Sequence, residues 1–122
     1  AANFVNWNKG WGGFVFNFGA GLDFSAYQTL KFAVDTSAMT DFADLGIKIE
    51  NPGGSPAATV MLSSYVPTLL SNWAVYTIPL VDFAGVDLSN LVYLGFWSPL
   101  STGGQLTFGT LYMDDLHFDV NP

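Results

Sequence analysis

The chain has 122 residues, of which 50% are hydrophobic, 16% aromatic and only 11% charged. Its net charge of -7, with three basic residues in all, argues against nucleic acid and acidic polysaccharides as partners, because polyanions are bound through many cationic contacts. The absence of cysteine excludes disulfides and zinc–thiolate sites. No apolar run approaches the roughly 18 residues of a membrane-spanning helix. We therefore expect one domain over residues 1–122, no membrane partner and a neutral ligand.

Apolar side chains alternate with a period of two, and turn residues separate the alternating segments, which predicts strands rather than helices. A short helical turn is predicted only at residues 37–42, and a turn at residues 87–90. The predicted strands are, in chain order, residues 14–18, 29–35, 45–51, 58–64, 73–80, 91–98, 105–108 and 111–118. The last two form either a hairpin or one strand bulged near Gly109. This pattern predicts an all-β fold, a two-sheet antiparallel β-sandwich of the jelly-roll type.

Most of the eleven phenylalanines are predicted to fill the core, because inward-facing aromatic side chains dominate the interior of a sandwich. The positions that fit the inward alternation are Phe14, Phe16, Phe18, Phe32, Phe96 and Phe108.

The strand at residues 91–98 is predicted to carry large aromatic side chains on its outer side. If Leu94 and Phe96 face the core, Tyr93, Gly95 and Trp97 face outward, because successive strand residues point to opposite faces. Exposed aromatic surface usually marks a contact with a partner. The apolar C–H face of a sugar lies well on an aromatic ring, and a glycine between two rings is expected to leave room for a sugar close to the backbone. Alternatively, a loop or a neighbouring domain covers both rings.

Further candidates for ligand binding come from two other segments. Lys48 and Glu50 alternate with buried positions and are predicted to hydrogen-bond sugar hydroxyls. Trp7 and Trp11, near the N-terminus, either line one end of a groove or cap the core. The candidate ligand-binding residues are therefore Trp97, Tyr93, Lys48, Glu50, Trp7 and Trp11.

No catalytic residues are predicted. The single histidine, His117, lies in a predicted strand, and no Gly-x-Ser-x-Gly nucleophile motif is present. One Glu and nine Asp could supply a carboxylate pair, but most Asp lie where turns favour them. The chain is interpreted as a non-enzyme; the alternative is a small jelly-roll lyase or hydrolase that uses Asp114 or Glu50.

Two adjacent carboxylates interrupt the last apolar strand, at Asp114 and Asp115. Carboxylate and backbone oxygens suit Ca²⁺, and an inward-pointing carboxylate would need such a partner. The alternative is an aspartate that accepts backbone N–H bonds at the end of a strand. Both residues are candidate ligands of a structural calcium ion.

Four segments, taken together and in this order, resemble the galactose-binding-like jelly-roll carbohydrate-binding modules that accompany secreted bacterial glycoside hydrolases. They are DFSAYQTLKFAV (residues 23–34), WAVYTIPLVDF (73–83), DLSNLVYLGFW (87–97) and YMDDLHF (112–118). The resemblance covers nearly the whole chain.

The resemblance implies a concave sheet that binds β-glucan or a related chain, and often a structural Ca²⁺ to which an aspartate of the closing strand contributes, here Asp114 or Asp115. We therefore expect a secreted, monomeric, non-catalytic module that tethers a linked glycoside hydrolase to a neutral polysaccharide. We also expect the chain to be a segment of a longer protein. The alternative is a structural accessory domain that packs on a catalytic domain without binding sugar.

Overall fold

A computed structural model describes the backbone of residues 3–7 and 13–120, and the side chains of residues 13–120. The strands in this part of the chain are β1 (Asn3–Trp7), β2 (Gly13–Leu22), β3 (Thr29–Met39), β4 (Asp44–Glu50), β5 (Ala57–Met61), β6 (Thr68–Leu70), β7 (Trp73–Pro79), β8 (Leu91–Leu100) and β9 (Gly109–Asp119). Single turns of 3-10 helix lie at Pro52–Gly54, Leu62–Ser64 and Leu80–Asp82.

The strands form two sheets in which every pairing is antiparallel. One sheet has five strands in the order β1-β9-β3-β7-β6, and the other has four in the order β2-β8-β4-β5. The prediction of an all-β, two-sheet antiparallel jelly-roll sandwich is confirmed. Among the described residues, no helix is long and apolar enough to cross a membrane.

The core lies between the two sheets and follows the predicted alternation. Leu30, Phe32 and Val34 of β3 face Leu94 and Phe96 of β8, and all five side chains are buried. Phe14, Phe16 and Phe18 of β2 are partly buried against this cluster. Burying each large apolar side chain contributes about 1.5–3 kcal/mol, so this interior dominates the stability of the sandwich.

Four local predictions are wrong. Residues 62–64, predicted as the end of a strand, form a 3-10 turn. Residues 37–42 form no helix, because β3 continues to Met39. Residues 105–108 form only an isolated bridge between Leu106 and Leu100. Phe108 is 46% exposed, because its neighbour Thr107 takes the buried position and donates its hydroxyl hydrogen to the Thr40 carbonyl. A single-residue shift of the alternation reverses which side chain is buried.

A buried asparagine joins the end of β4 to the loop that leads into β8. Asn51 is 4% exposed, and its side-chain N–H groups donate to the carbonyls of Asp87 (2.7 Å) and Asn90 (2.8 Å). Its side-chain oxygen accepts the N–H of Asp87 at 2.8 Å. One side chain thus satisfies three backbone groups and holds the chain where it enters β8.

We predict that Asn51→Ala lowers the free energy of unfolding by about 2–3 kcal/mol, because it leaves backbone groups unpaired in a buried setting. Urea denaturation checks this through a lower midpoint at an unchanged slope. Asn72→Ala, in the exposed turn between β6 and β7, is the matched control and should leave the midpoint in place. Equal midpoints for the two variants would contradict the role given to Asn51.

Candidate functional site

The outer face of the four-stranded sheet brings together four of the residues singled out in the sequence. Because Leu94 and Phe96 point into the core, Tyr93, Gly95 and Trp97 point outward from β8. The register places Glu50 of β4 beside Tyr93 and Lys48 beside Gly95. On the other flank, Asn17 and Val15 of β2 pair with Tyr93 and Gly95. We call this surface, made by Tyr93, Gly95, Trp97, Lys48, Glu50, Val15 and Asn17, the β8 face.

The two aromatic rings of the β8 face converge over Gly95. Their planes are 9° from parallel and their centroids are 6.4 Å apart. Four residues of strand span about 13 Å, so the rings lean toward each other along the strand. A Cβ atom on Gly95 would lie 2.6 Å from Nε1 of Trp97 and 2.8 Å from Cε1 of Tyr93. The expectation that Gly95 leaves room for a sugar against the backbone is therefore wrong: the glycine makes room for the two rings.

Both rings are half-buried, and Val15 beside them is exposed. Their outer surfaces and Val15 thus form a continuous apolar strip along the middle of the sheet. A strip of this kind suits a ligand with a flat apolar side.

Charged groups lie directly beside the strip. The Lys48 ammonium is 3.1 Å from the Glu50 carboxylate, and its side chain is the more exposed of the two. Burial raises the pKa of the Tyr93 phenol, the Glu50 carboxylate raises it further, and the Lys48 ammonium partly opposes them. The phenol therefore stays protonated at neutral pH and can both donate and accept hydrogen bonds.

The indole N–H of Trp97 is buried and has no hydrogen-bond acceptor within residues 13–120. The Trp97 indole also lowers the pKa of the Tyr93 phenol, as the smallest of the influences on it. An unpaired buried donor costs about 1–3 kcal/mol, so a ligand oxygen or a ring rotation that reached it would be favourable.

The two N-terminal tryptophans contribute no described side chain. Trp7 ends β1 at the edge of the five-stranded sheet, where its backbone pairs with Gly109. Trp11 lies outside the described residues. Their predicted roles in ligand binding stay predictions.

Asp114 and Asp115 lie on the other sheet, at a bulge in β9. Ala33 of β3 pairs with Asp114 but Lys31 pairs with His117, so β9 carries one extra residue there. Asp115 adopts a left-handed backbone (φ 54°), and its N–H donates to Oδ1 of Asp114 at 2.9 Å. The bulge puts both carboxylates on the outer side of the sheet while Met113 stays buried.

This arrangement bears on metal binding and on catalysis. Within the described residues, no group of three or more acidic or histidine side chains could hold a metal ion. Two carboxylates fall short of the six to eight oxygens that Ca²⁺ takes, so these side chains alone do not make a calcium site. Calcium stays a prediction.

Asp114 and Glu50 lie on opposite outer faces, so they cannot flank one glycosidic bond as a carboxylate pair must.

Sequence reasoning did not single out Val15 and Asn17, which complete the β8 face. The alternation that predicts Phe14, Phe16 and Phe18 inward also points these two outward. The alternation does not reveal that β2 pairs with β8, and this pairing places Val15 beside Gly95 and Asn17 beside Tyr93.

No family model matches the chain, and no curated protein matches it. Among solved structures, it is similar to a family 30 carbohydrate-binding module, with a TM-score of 0.68 and 21% identity over 93% of this chain. It is also similar to the family 30 carbohydrate-binding module of a cellulosomal cellulase of Clostridium thermocellum, with a TM-score of 0.63 and 21% identity over 94% of this chain. The chain spans 62% of the first structure and 70% of the second. It therefore has the jelly-roll fold of these modules.

We predict that Gly95→Ala separates the two rings, because its Cβ would overlap an atom of each. The overlapping atoms belong to side chains, so we expect the fold to survive with a loss of about 1–3 kcal/mol of stability. The near-UV circular dichroism of the aromatic pair should change. Gly46→Ala is the matched control, since its Cβ would meet its nearest neighbours at 3.5 Å, an ordinary contact. An unchanged near-UV spectrum for Gly95→Ala would contradict the convergence of the rings.

The calcium prediction has a direct test in thermal melting. An ion that binds only the folded chain raises the melting temperature, so excess EDTA should lower it and added Ca²⁺ should restore it. Asp115→Asn should abolish the response to both, and Asp41→Asn, in the exposed turn after β3, should keep it. A melting temperature that EDTA does not move would rule out a structural calcium ion.

Proposed function

We propose that the chain is a non-catalytic carbohydrate-binding module, and that it holds a neutral polysaccharide on the β8 face. The observation that carries the proposal is the Tyr93–Trp97 ring pair in the middle of the outer sheet surface, with the Lys48–Glu50 ion pair beside it. Rings of this kind pack against the C–H face of a pyranose, and the ion pair offers a donor and an acceptor to its hydroxyls.

The ligand is proposed to be a β-glucan. In a β-linked glucose chain the ring hydroxyls and the linkage are equatorial, so both faces of each ring present C–H groups and lie flat on an aromatic strip. The net charge of -7 favours such an uncharged chain over a polyanion by simple Coulomb repulsion. The similarity in fold to two carbohydrate-binding modules, one of them from a cellulase, supports the proposal.

The biological role is proposed to be tethering. A module that binds the polysaccharide and is joined to a secreted glycoside hydrolase raises the effective concentration of substrate at the enzyme without chemistry of its own. The module would act as a monomer. The alternative role is a structural accessory domain, for which the apolar strip of the β8 face would be an interface with a catalytic domain.

We predict that Trp97→Ala weakens polysaccharide binding about tenfold or more, since loss of one stacking ring of this kind is worth about 1.4 kcal/mol or more. Affinity gel electrophoresis against hydroxyethylcellulose, mixed-linkage β-glucan and xyloglucan measures it. Trp73→Ala is the matched control, because Trp73 is a half-buried tryptophan on the outer side of the other sheet.

Equal retardation of Trp97→Ala and the parent chain on a polysaccharide that the parent binds would remove the β8 face from the proposal. Retardation lost in Trp73→Ala but kept in Trp97→Ala would move the binding to the five-stranded sheet. No binding to any polysaccharide, together with tight association to a linked catalytic domain, would favour the accessory-domain alternative.

A further inference from the structure

A cleft opens on the five-stranded sheet, away from the strands of the β8 face. It has a volume of about 460 Å³ and lies where the loop between β2 and β3 meets the end of β7 and the 3-10 turn after it. Small-molecule sites typically measure about 300–1,000 Å³, so the cleft has the size of a ligand site.

The lining of the cleft is neutral. Apolar walls come from Pro79, Val81 and Leu88, and none of the side chains that line the cleft is charged, in a chain with ten acidic residues. The hydroxyl of Thr77 and the side-chain amide of Gln28 also line it, and both side chains are exposed. A neutral ligand with both apolar and hydroxyl surface would satisfy this lining.

An aromatic ring stands among the lining residues of the cleft. Tyr27 is 37% exposed, and its ring lies 5.9 Å from that of Phe24 and 6.1 Å from that of Phe118. The Phe24 and Phe118 rings are themselves stacked at 4.3 Å. Two tilted ring contacts therefore hold the Tyr27 ring in place, and its exposed part is available for packing against a ligand.

The cleft is built from segments that backbone hydrogen bonds hold in place. The N–H of Gln28 donates to the Asp119 carbonyl at 2.8 Å, and the Gln28 carbonyl accepts the N–H of Leu80 at 2.8 Å. These bonds join the loop, β9 and the turn after β7. Little ordering remains to be done when a ligand binds, which keeps the entropic cost of binding low.

We propose that this cleft is a second carbohydrate site, which takes one or two pyranose residues of a short neutral sugar or of a chain end. The class of ligand, a neutral sugar, is taken from the proposed function. The cleft itself does not depend on sugar binding at the β8 face. A ring of the sugar packs on Tyr27 and Pro79, and its hydroxyls pair with Thr77 and Gln28. Because the two sites lie on different sheets, one short sugar cannot occupy both at once, and the cleft should bind sugar without the aromatic rings of the β8 face.

The test is an NMR titration of the ¹⁵N-labelled chain with cellobiose. The amides of Tyr27, Gln28, Thr77 and Val81 should shift together along one saturating curve. Thr77→Val, which removes the hydroxyl and keeps the shape, should raise the Kd of that curve at least fivefold. Val81→Arg should raise it further, because Val81 is 81% exposed at the cleft and can be enlarged without disturbing the core.

Trp97→Ala is the control, and the shifts at the cleft should persist in it with unchanged Kd. Shifts confined to Tyr93, Gly95 and Trp97 would overturn the second site and leave the proposed function in place. An unchanged Kd in both Thr77→Val and Val81→Arg would also overturn it. No shifts anywhere, together with no retardation by any polysaccharide, would overturn the proposed function itself.

Discussion

The burial of Leu94 and Phe96 in the core is the constraint on which the β8 face depends. A strand offers its side chains to two faces in strict alternation, so two fully buried residues oblige Tyr93, Gly95 and Trp97 to point away from the core. The packing of the core and the composition of the β8 face are therefore set by the same strand. A one-residue slip in the register of β8 would bury the polar phenol and the indole and expose two core side chains. Asn51 opposes such a slip, because its side chain makes three hydrogen bonds to backbone groups of the loop that enters β8.

Gly95 shows how a small residue shapes a surface made of large ones. Without a side chain at this position, the two rings close over the backbone and lie almost parallel. The Lys48–Glu50 pair lies at the side of the strip, where the hydroxyls at the edge of a pyranose would lie if the proposed ligand packs on the rings.

Many of the acidic side chains of the chain lie in local turns or on the β9 bulge, outside the lining of the cleft near Tyr27 and away from the aromatic rings of the β8 face. Several aspartates are occupied in local turns: Asp23 and Asp87 each accept the N–H and the hydroxyl hydrogen of a serine two residues later, which lowers the pKa of both carboxyls. Two others share the β9 bulge on the far sheet. The cleft near Tyr27 is lined without any charged side chain. A fold of this composition can thus repel polyanions in general and still present the two surfaces that are proposed to bind uncharged sugars.

Local alternation predicted seven of the nine described strands, most of the inward and outward positions, and the outward position of Tyr93 and Trp97, because a period of two is a local property of the chain. It did not predict β1 and β6. It failed at Phe108 and at residues 37–42, where a tertiary contact of Thr107 and the extension of β3 override the local pattern. Tertiary packing placed Lys48 and Glu50 beside the rings, covered Gly95 with them, and set Asp114 and Asp115 on the opposite sheet. The physical reason is that strand order and register are set by packing between segments far apart in sequence, which no local periodicity encodes.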